Sequence, residues 1–267
     1  MFLFDSIGDR PIPDFNFEMA STSRSSLDDA WIREGYDLPT ALSPRWKPVQ
    51  DNYHDMLLSD IHRPRRYLLS FKGNVHSWEQ RNYQHRWIAA EYWHDEPDVH
   101  VDTKCESSRK RGEWERYNNT NENDYGNLLL NSTFFFCPGG GGVHSFRFSE
   151  SLLGGAIPVV TSDFIPPFYP DIDWSGCIIQ VSDARVVDIP RLVREISDEE
   201  VKRRQIRCNE LSIVIFGNMD DHDEFYHKQL FTVAMMVWHA RINSALKHQG
   251  DVADNLIKIL ASSKIEG

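Results

Sequence analysis

The sequence lacks long apolar runs, closely spaced cysteines and an excess of positive charge. No stretch of its 267 residues approaches the roughly 20 apolar residues that span a bilayer, and the start, Met1–Asp5, becomes acidic too early for a signal peptide. Lys and Arg number 29 against 40 Asp and Glu, giving a net charge of −11 that argues against a general nucleic-acid or membrane-surface binder. As given, the sequence carries no anchor or targeting signal, which is equally expected of a fragment of a longer protein.

The four cysteines are too far apart to indicate a structural zinc site. Cys105, Cys137, Cys177 and Cys208 include no Cys-x-x-Cys pair. In an oxidising compartment they allow up to two disulfides, and the spacing alone does not pair them. The sequence also lacks the Gly-x-Ser-x-Gly turn of a serine hydrolase.

The hydrophobic pattern changes near residue 61. Prolines and polar residues punctuate the preceding segment, whereas the following residues alternate between strand and helix patterns, with continuous apolar strands at Thr133–Cys137 and Ala156–Thr161. Such strands predict an α/β fold in which helices cover both faces of a parallel, Rossmann-like sheet. We expect an irregular lead-in over 1–60, a Rossmann-like domain over 61–247 and a peripheral tail over 248–267.

A glycine loop follows the strand Thr133–Cys137 and leads into a predicted helix, Ser145–Leu153. Glycines let the backbone approach a ligand closely, and the unpaired N–H groups of a helix N-terminus attract an anion, so the pair suits a diphosphate. The loop is not a Walker A motif, which needs Gly-Lys-Ser/Thr. Nor is it the dinucleotide fingerprint, because His144 replaces the third glycine. A flexible turn is the alternative.

Two charged residues follow on the same helix. Arg147 and Glu150 are three positions apart and therefore share a face. An arginine can pair with phosphate, and a carboxylate can accept hydrogen bonds from a ribose diol. The alternative is a surface Arg–Glu pair.

Several segments, in order along the chain, resemble the exostosin family of glycosyltransferases. They are Leu69–Asn74, Asp98–His100, Tyr125, Leu129–Phe134, Cys137–Gly139, Ser145–Leu152, Gly155–Val160, Asp163, Pro167–Phe168 and Ile172–Trp174. The resemblance covers roughly residues 64–216. It implies an inverting glycosyltransferase of the GT-B fold, of which this chain supplies the carboxy-terminal, nucleotide-sugar-binding half, and the lead-in is a remnant of the acceptor domain.

The resemblance also implies roles for individual residues. The predicted nucleotide-sugar site comprises Lys72, Gly73, Gly139, Gly140, Ser145, Arg147, Glu150 and Asp163. Within it Glu150 binds the ribose, Asp163 lies near the sugar and the others surround the diphosphate. No metal or cofactor is expected. The catalytic base is not identified; His144 is a weak candidate, because histidine can take up a proton near neutral pH.

The partners follow from the same resemblance. The donor is a nucleotide sugar, usually UDP-linked, and the acceptor is a glycan or glycoprotein hydroxyl, with transfer of a hexosyl or glycuronosyl group. Homo- or hetero-oligomers with a related transferase and a Golgi location are implied, and no nucleic acid is expected. The rival hypothesis is a non-catalytic module that keeps the fold and acts as a structural subunit of a transferase complex.

Overall fold

The computed structural model describes residues 2–5, 21–24, 32–33, 37–46, 48, 61, 63–75, 81–105, 124–140, 142–216 and 232–241. The tail expected at 248–267 lies outside these ranges.

The main sheet has five parallel strands in the order β5-β4-β6-β7-β8. Their bounds are Tyr67–Val75 (β4), Val99–Cys105 (β5), Ser132–Phe136 (β6), Ile157–Thr161 (β7) and Ile179–Val181 (β8). This arrangement confirms the predicted parallel α/β fold. The strand order reverses direction between β4 and β6, and such a switch point is where open parallel sheets bind their ligands, outside the carboxyl ends of the strands.

Helices connect and flank the strands. In the described part of the chain they are Arg81–Tyr92 (α1), Asp124–Leu130 (α2), Phe146–Leu153 (α3), Ile189–Arg194 (α4), Asp198–Phe216 (α5) and 232–241 (α6). A 3₁₀ turn lies at Asp183–Asp188.

Successive side chains of β6 show that helices lie on both faces of the sheet. Phe136 packs edge-on against Trp93, just after α1, whereas Phe135 packs edge-on against Tyr125 of α2. Because neighbouring residues of a strand point to opposite faces, the two helices cover opposite faces. The chain then leaves α3 through Gly155, whose φ of 67° is the left-handed conformation that ends helices and favours glycine.

The lead-in is not irregular as expected. Three short strands, Phe2–Asp5 (β1), Ser21–Arg24 (β2) and Leu38–Pro39 (β3), form a second parallel sheet in that order. β3 and the residues after it pack onto the main domain: Leu38 and Ala41 join the buried core, and the Pro39 carbonyl accepts a hydrogen bond from the Phe168 N–H at 2.6 Å. This part of the lead-in is therefore part of the larger core.

Two further details go beyond the sequence predictions. β4 continues past Lys72 to Val75 and is paired with β5 up to the register Val75↔Cys105. Cys177 and Cys208 form a disulfide that joins the residues before β8 to α5, and Cys137 is a buried free thiol.

Candidate functional site

The carboxyl ends of β4 and β6 meet the start of α3 at the switch point of the sheet. There the Arg147 Nε donates to the Lys72 carbonyl at 2.6 Å, and its guanidinium lies over the Phe71 ring, with Cζ 5.5 Å from the ring centroid. Gly73 makes this approach possible, because a Cβ at that position would lie 2.7 Å from Arg147 Cζ. The structure thus brings Arg147 next to Lys72 and Gly73, although Arg147 lies 74 positions after Gly73 in the sequence.

The Lys72 side chain already has a carboxylate partner. Its Nζ lies 2.7 Å from Asp102 Oδ2 on the neighbouring strand, directly across the register Lys72↔Asp102. Both residues line a cavity of about 340 Å³ beside α2. An anion bound by Lys72 would therefore share the ammonium with Asp102.

The glycine loop is folded against α1 by an arginine that the sequence reading did not single out. Arg86 Nε and Nη2 donate to the Gly139 carbonyl at 2.9 and 2.7 Å, and Nη1 donates to the Asn74 carbonyl at 2.7 Å. Within the loop, the Gly140 N–H donates to the Gly142 carbonyl at 2.7 Å. One feature of the sequence indicated that α1 could contact this loop: a helix that follows β4 must begin near the carboxyl edge of the sheet.

Ser145 is the N-cap of α3. Its backbone is extended, with φ −143° and ψ 155°, but its hydroxyl makes no capping hydrogen bond. The residue is 6% exposed, and Oγ is buried without a hydrogen-bond partner. A buried hydroxyl without a partner is costly, so a ligand oxygen accepting from Oγ would remove that cost.

Glu150 holds the end of the lead-in in place. Its Oε1 accepts from the backbone N–H groups of Arg45 and Trp46, both at 3.0 Å, and its Oε2 accepts from the Tyr125 hydroxyl at 2.5 Å. The residue is 4% exposed. The structure therefore gives the carboxylate three donors from its own chain, and a role in binding ribose stays a prediction.

Tyr125 belongs to the segments that resemble the exostosin family, but the resemblance gave it no role in the site. Burial and the adjacent Glu150 carboxylate raise the pKa of its hydroxyl well above the usual value, so it remains a proton donor throughout the physiological range. The two residues are 25 positions apart, so no local pattern predicted that the hydroxyl contacts Glu150.

His144 lies in the core beneath the glycine loop. It is 3% exposed, its Nε2 is 2.7 Å from the Ile165 carbonyl, and its ring stacks on Phe164 with centroids 4.3 Å apart. Burial lowers the pKa of the imidazole to about 4. This placement favours a structural role over proton transfer to a substrate, since a base must reach the proton it removes.

Asp163 follows β7 at the same edge of the sheet. Its Oδ1 accepts from the Thr161 hydroxyl at 2.5 Å, which fixes the turn that leaves the strand. Next to it, the Ser162 hydroxyl donates to Asp183 Oδ1 at 3.1 Å, linking the ends of β7 and β8. The place of Asp163 near the sugar stays a prediction.

The sequence contains an Asp-x-Asp triplet, Asp171–Asp173, which the expectation of a site without metal did not take into account. In the structure each carboxylate has its own protein partner: Asp171 Oδ2 pairs with Arg241 at 2.5 Å, and Asp173 Oδ1 accepts from the Ser175 N–H at 2.9 Å. The latter hydrogen bond lowers the pKa of Asp173. Over the described ranges we find no group of three metal-ligating side chains, and no helix there has the length and apolarity to cross a membrane.

Comparison with known proteins places these residues in a family. The profile of the exostosin GT47 domain matches residues 1–196. The match thus begins in the lead-in, well before residue 64, and ends before α5. Exostosin-1c of Danio rerio is 28% identical over an alignment of 226 residues that covers 77% of this chain and 29% of that protein. The exostosin-1 homolog of Caenorhabditis elegans is 35% identical over an alignment of 156 residues that covers 53% of this chain and 38% of that protein.

A solved structure gives a more distant likeness. The glycosyltransferase of Rickettsia africae superposes with a TM-score of 0.47 at 10% identity, over 93% of this chain and 71% of that one. The chain spans less than two fifths of the length of the two curated relatives named above. With the profile matched over most of its length, the chain belongs to the exostosin GT47 domain family.

Proposed function

We propose that this chain is the nucleotide-sugar-binding half of an inverting GT-B glycosyltransferase. Its donor is a UDP-linked hexose or uronic acid, and its acceptor is a hydroxyl of a glycan or glycoprotein. The observation that carries the proposal is the convergence of Lys72, Gly73 and Arg147 with the glycine loop at the switch point of a parallel sheet. Membership of the exostosin family supports the reaction class.

The arrangement suits the departure of a nucleoside diphosphate. As the bond from the sugar to the diphosphate breaks, negative charge develops on the leaving phosphate oxygens. Preorganised donors stabilise that charge without a metal ion when they point at it from a site of low polarity. Arg147, the Lys72 ammonium and the Ser145 hydroxyl at the N-terminus of α3 are the donors that this chain offers.

The acceptor and the general base are assigned to the other half of the GT-B architecture. No base candidate emerges from the described part of the chain, because His144 is buried in the core. In the proposed reaction the acceptor hydroxyl attacks the anomeric carbon from the face opposite the diphosphate, loses its proton to a base and displaces the nucleoside diphosphate with inversion.

The disulfide supports a location in the secretory pathway. Cys177–Cys208 is the kind of bond that persists in oxidising compartments and is rare in the cytosol. Together with the family, it favours the Golgi lumen.

The rival function is that of a non-catalytic subunit. It is favoured because two residues predicted to bind the nucleotide sugar already have partners within the chain. Glu150 is held by the lead-in and Tyr125, and Lys72 by Asp102. A panel of UDP-sugars separates the two functions. Transfer or hydrolysis of any UDP-sugar supports the enzyme. Binding of UDP without turnover of any UDP-sugar supports the non-catalytic subunit.

Calorimetric titration of the full chain with UDP and with uridine tests the donor site itself. The Arg147→Ala variant should bind UDP about tenfold more weakly, the loss expected for one charged hydrogen bond, and should bind uridine nearly unchanged. Arg203→Ala, which removes an exposed arginine paired with Glu200 on α5, is the matched control. Equal losses for UDP and uridine would contradict a phosphate role for Arg147.

A further inference from the structure

The carboxyl end of β4 projects beyond the end of β6. Pairing between these two strands ends at Ser70↔Phe135, whereas the pairing of β4 with β5 continues to Val75↔Cys105. Within the described part of the chain, the last residues of β4 therefore have no strand partner on the β6 side. There β4 faces the loop after β6, and we call the edge formed by the carbonyls of Lys72, Asn74 and Gly139 the notch.

Two arginines from different helices donate hydrogen bonds to the backbone carbonyls of this notch. Arg147, from α3, caps the Lys72 carbonyl. Arg86, from α1, caps the Asn74 carbonyl two residues further along β4 and, with two N–H groups, the Gly139 carbonyl beyond β6. Arg86 thus ties together the two strand ends that form the proposed diphosphate site.

The chemistry of an anion site explains why such capping matters. Carbonyl oxygens carry partial negative charge, and three of them at the edge of the notch would repel a diphosphate. A guanidinium that donates hydrogen bonds to these oxygens covers them and adds a full positive charge. Because Arg86 is only 4% exposed, water screens the attraction between that charge and an anion only weakly. Arg86 also leaves little room beside Gly140, where a Cβ would lie 3.2 Å from its Nη2.

We propose that Arg86 is a positioning residue of the diphosphate site, which fixes the spacing of the β4 and β6 ends and makes their carbonyl-lined edge attractive to an anion. The inference rests on the proposed function, since it concerns the same ligand. It adds a second arginine, from a helix that no sequence motif marked, to the set that discriminates a nucleoside diphosphate from a nucleoside.

The test compares Arg86→Gln and Arg86→Lys in the full chain. For each, the dissociation constants of UDP and uridine are measured in the same folded sample, and the ratio of the uridine constant to the UDP constant is the readout. A ratio within one sample does not depend on the folded fraction, so a purely structural loss does not change it. Glutamine removes the charge and the fork, and lysine keeps the charge but cannot bridge both carbonyls.

Arg65 provides the matched control, because it does the same structural task at the opposite edge of the sheet. Its Nη1 donates to the carbonyls of Leu130, Ser132 and Gly154 at 3.1, 3.0 and 3.0 Å. The Arg65→Gln variant therefore loses a half-buried carbonyl-capping arginine and leaves the notch untouched.

We expect the ratio to fall about tenfold in Arg86→Gln, about threefold in Arg86→Lys and not at all in Arg65→Gln, as for the loss of one partly buried charge near an anion. If only the lysine variant folds, its ratio decides. An unchanged ratio in a folded Arg86 variant overturns the inference, as does an equal fall in Arg65→Gln. If the unaltered chain does not prefer UDP over uridine, the proposed function itself fails, which is a different result.

Discussion

Reduction of the Cys177–Cys208 disulfide is expected to lower the free energy of unfolding by about 3.7 kcal/mol. The two residues are 31 positions apart, and both are buried. For a loop of that length the chain-entropy relation gives a loss of about 12 cal/mol/K in the cross-linked unfolded chain, or about 3.7 kcal/mol at 25 °C. Since domains are stable by only about 5–15 kcal/mol, this is a large fraction of the total.

Urea unfolding followed by tryptophan fluorescence measures the effect, with and without dithiothreitol. The comparison uses one sequence, so no side chain is replaced between the two conditions. The Cys177→Ala/Cys208→Ala variant is the control, because its stability should not respond to dithiothreitol. Peptide mapping of the unreduced protein should recover Cys177 and Cys208 in one cross-linked pair.

Two results would refute this reasoning. A loss below about 1 kcal/mol on reduction, or an equal response in the double variant, would show that the bond does not stabilise the fold by constraining the unfolded chain. A mapped pair that includes Cys137 would refute the pairing itself, since the structure buries Cys137 as a free thiol whose pKa burial raises to about 12.

Three further predictions follow from the site. Gly73→Ala should displace the Arg147 guanidinium and weaken UDP binding severalfold while changing the melting temperature little, because the obstructing atoms belong to the end of a flexible side chain; titration and thermal melts check both. Tyr125→Phe should cost about 1.5–3 kcal/mol in urea unfolding, because it removes a charge-assisted hydrogen bond to buried Glu150. His144, with a pKa lowered to about 4, stays neutral in the folded chain while the unfolded chain takes up a proton below about pH 6.5. Stability should therefore fall by about 2 kcal/mol from pH 7 to pH 5 through this residue, and His144→Phe, which keeps the stack on Phe164, should remove that part of the pH dependence.

The main sheet and part of the site were predictable because their signals are local. Continuous apolar strands such as β6 and β7, each followed by a turn residue and a helix, indicate a parallel sheet wherever they occur. The glycine loop and Arg147 lie within ten residues of each other, so their joint position at the end of β6 followed from the strand-to-helix order alone. Lys72 and Gly73 were predicted from the family resemblance, and they lie near Arg147 because parallel strands end at the same edge.

The rest depends on contacts between distant parts of the chain. The donors to Glu150 come from residues 104 and 105 positions earlier, and Arg86 reaches Gly139 across 53 positions. No periodicity reports such pairings. The strands of the lead-in were missed for another reason: β2, Ser21–Arg24, is polar throughout, so neither alternation nor an apolar run marks it.

The hold of Glu150 on Arg45 and Trp46 has a consequence for how the protein can be divided. A truncation starting at residue 61 would remove both N–H donors from a buried carboxylate, along with Leu38 and Ala41 from the core and the Leu42 carbonyl that accepts from the Ser149 hydroxyl. The truncated protein would have to bury a charge with one remaining donor or rehydrate the face of α3. A recombinant piece intended to retain the nucleotide site should therefore begin before β3, so that the segment that supports α3 is expressed with it.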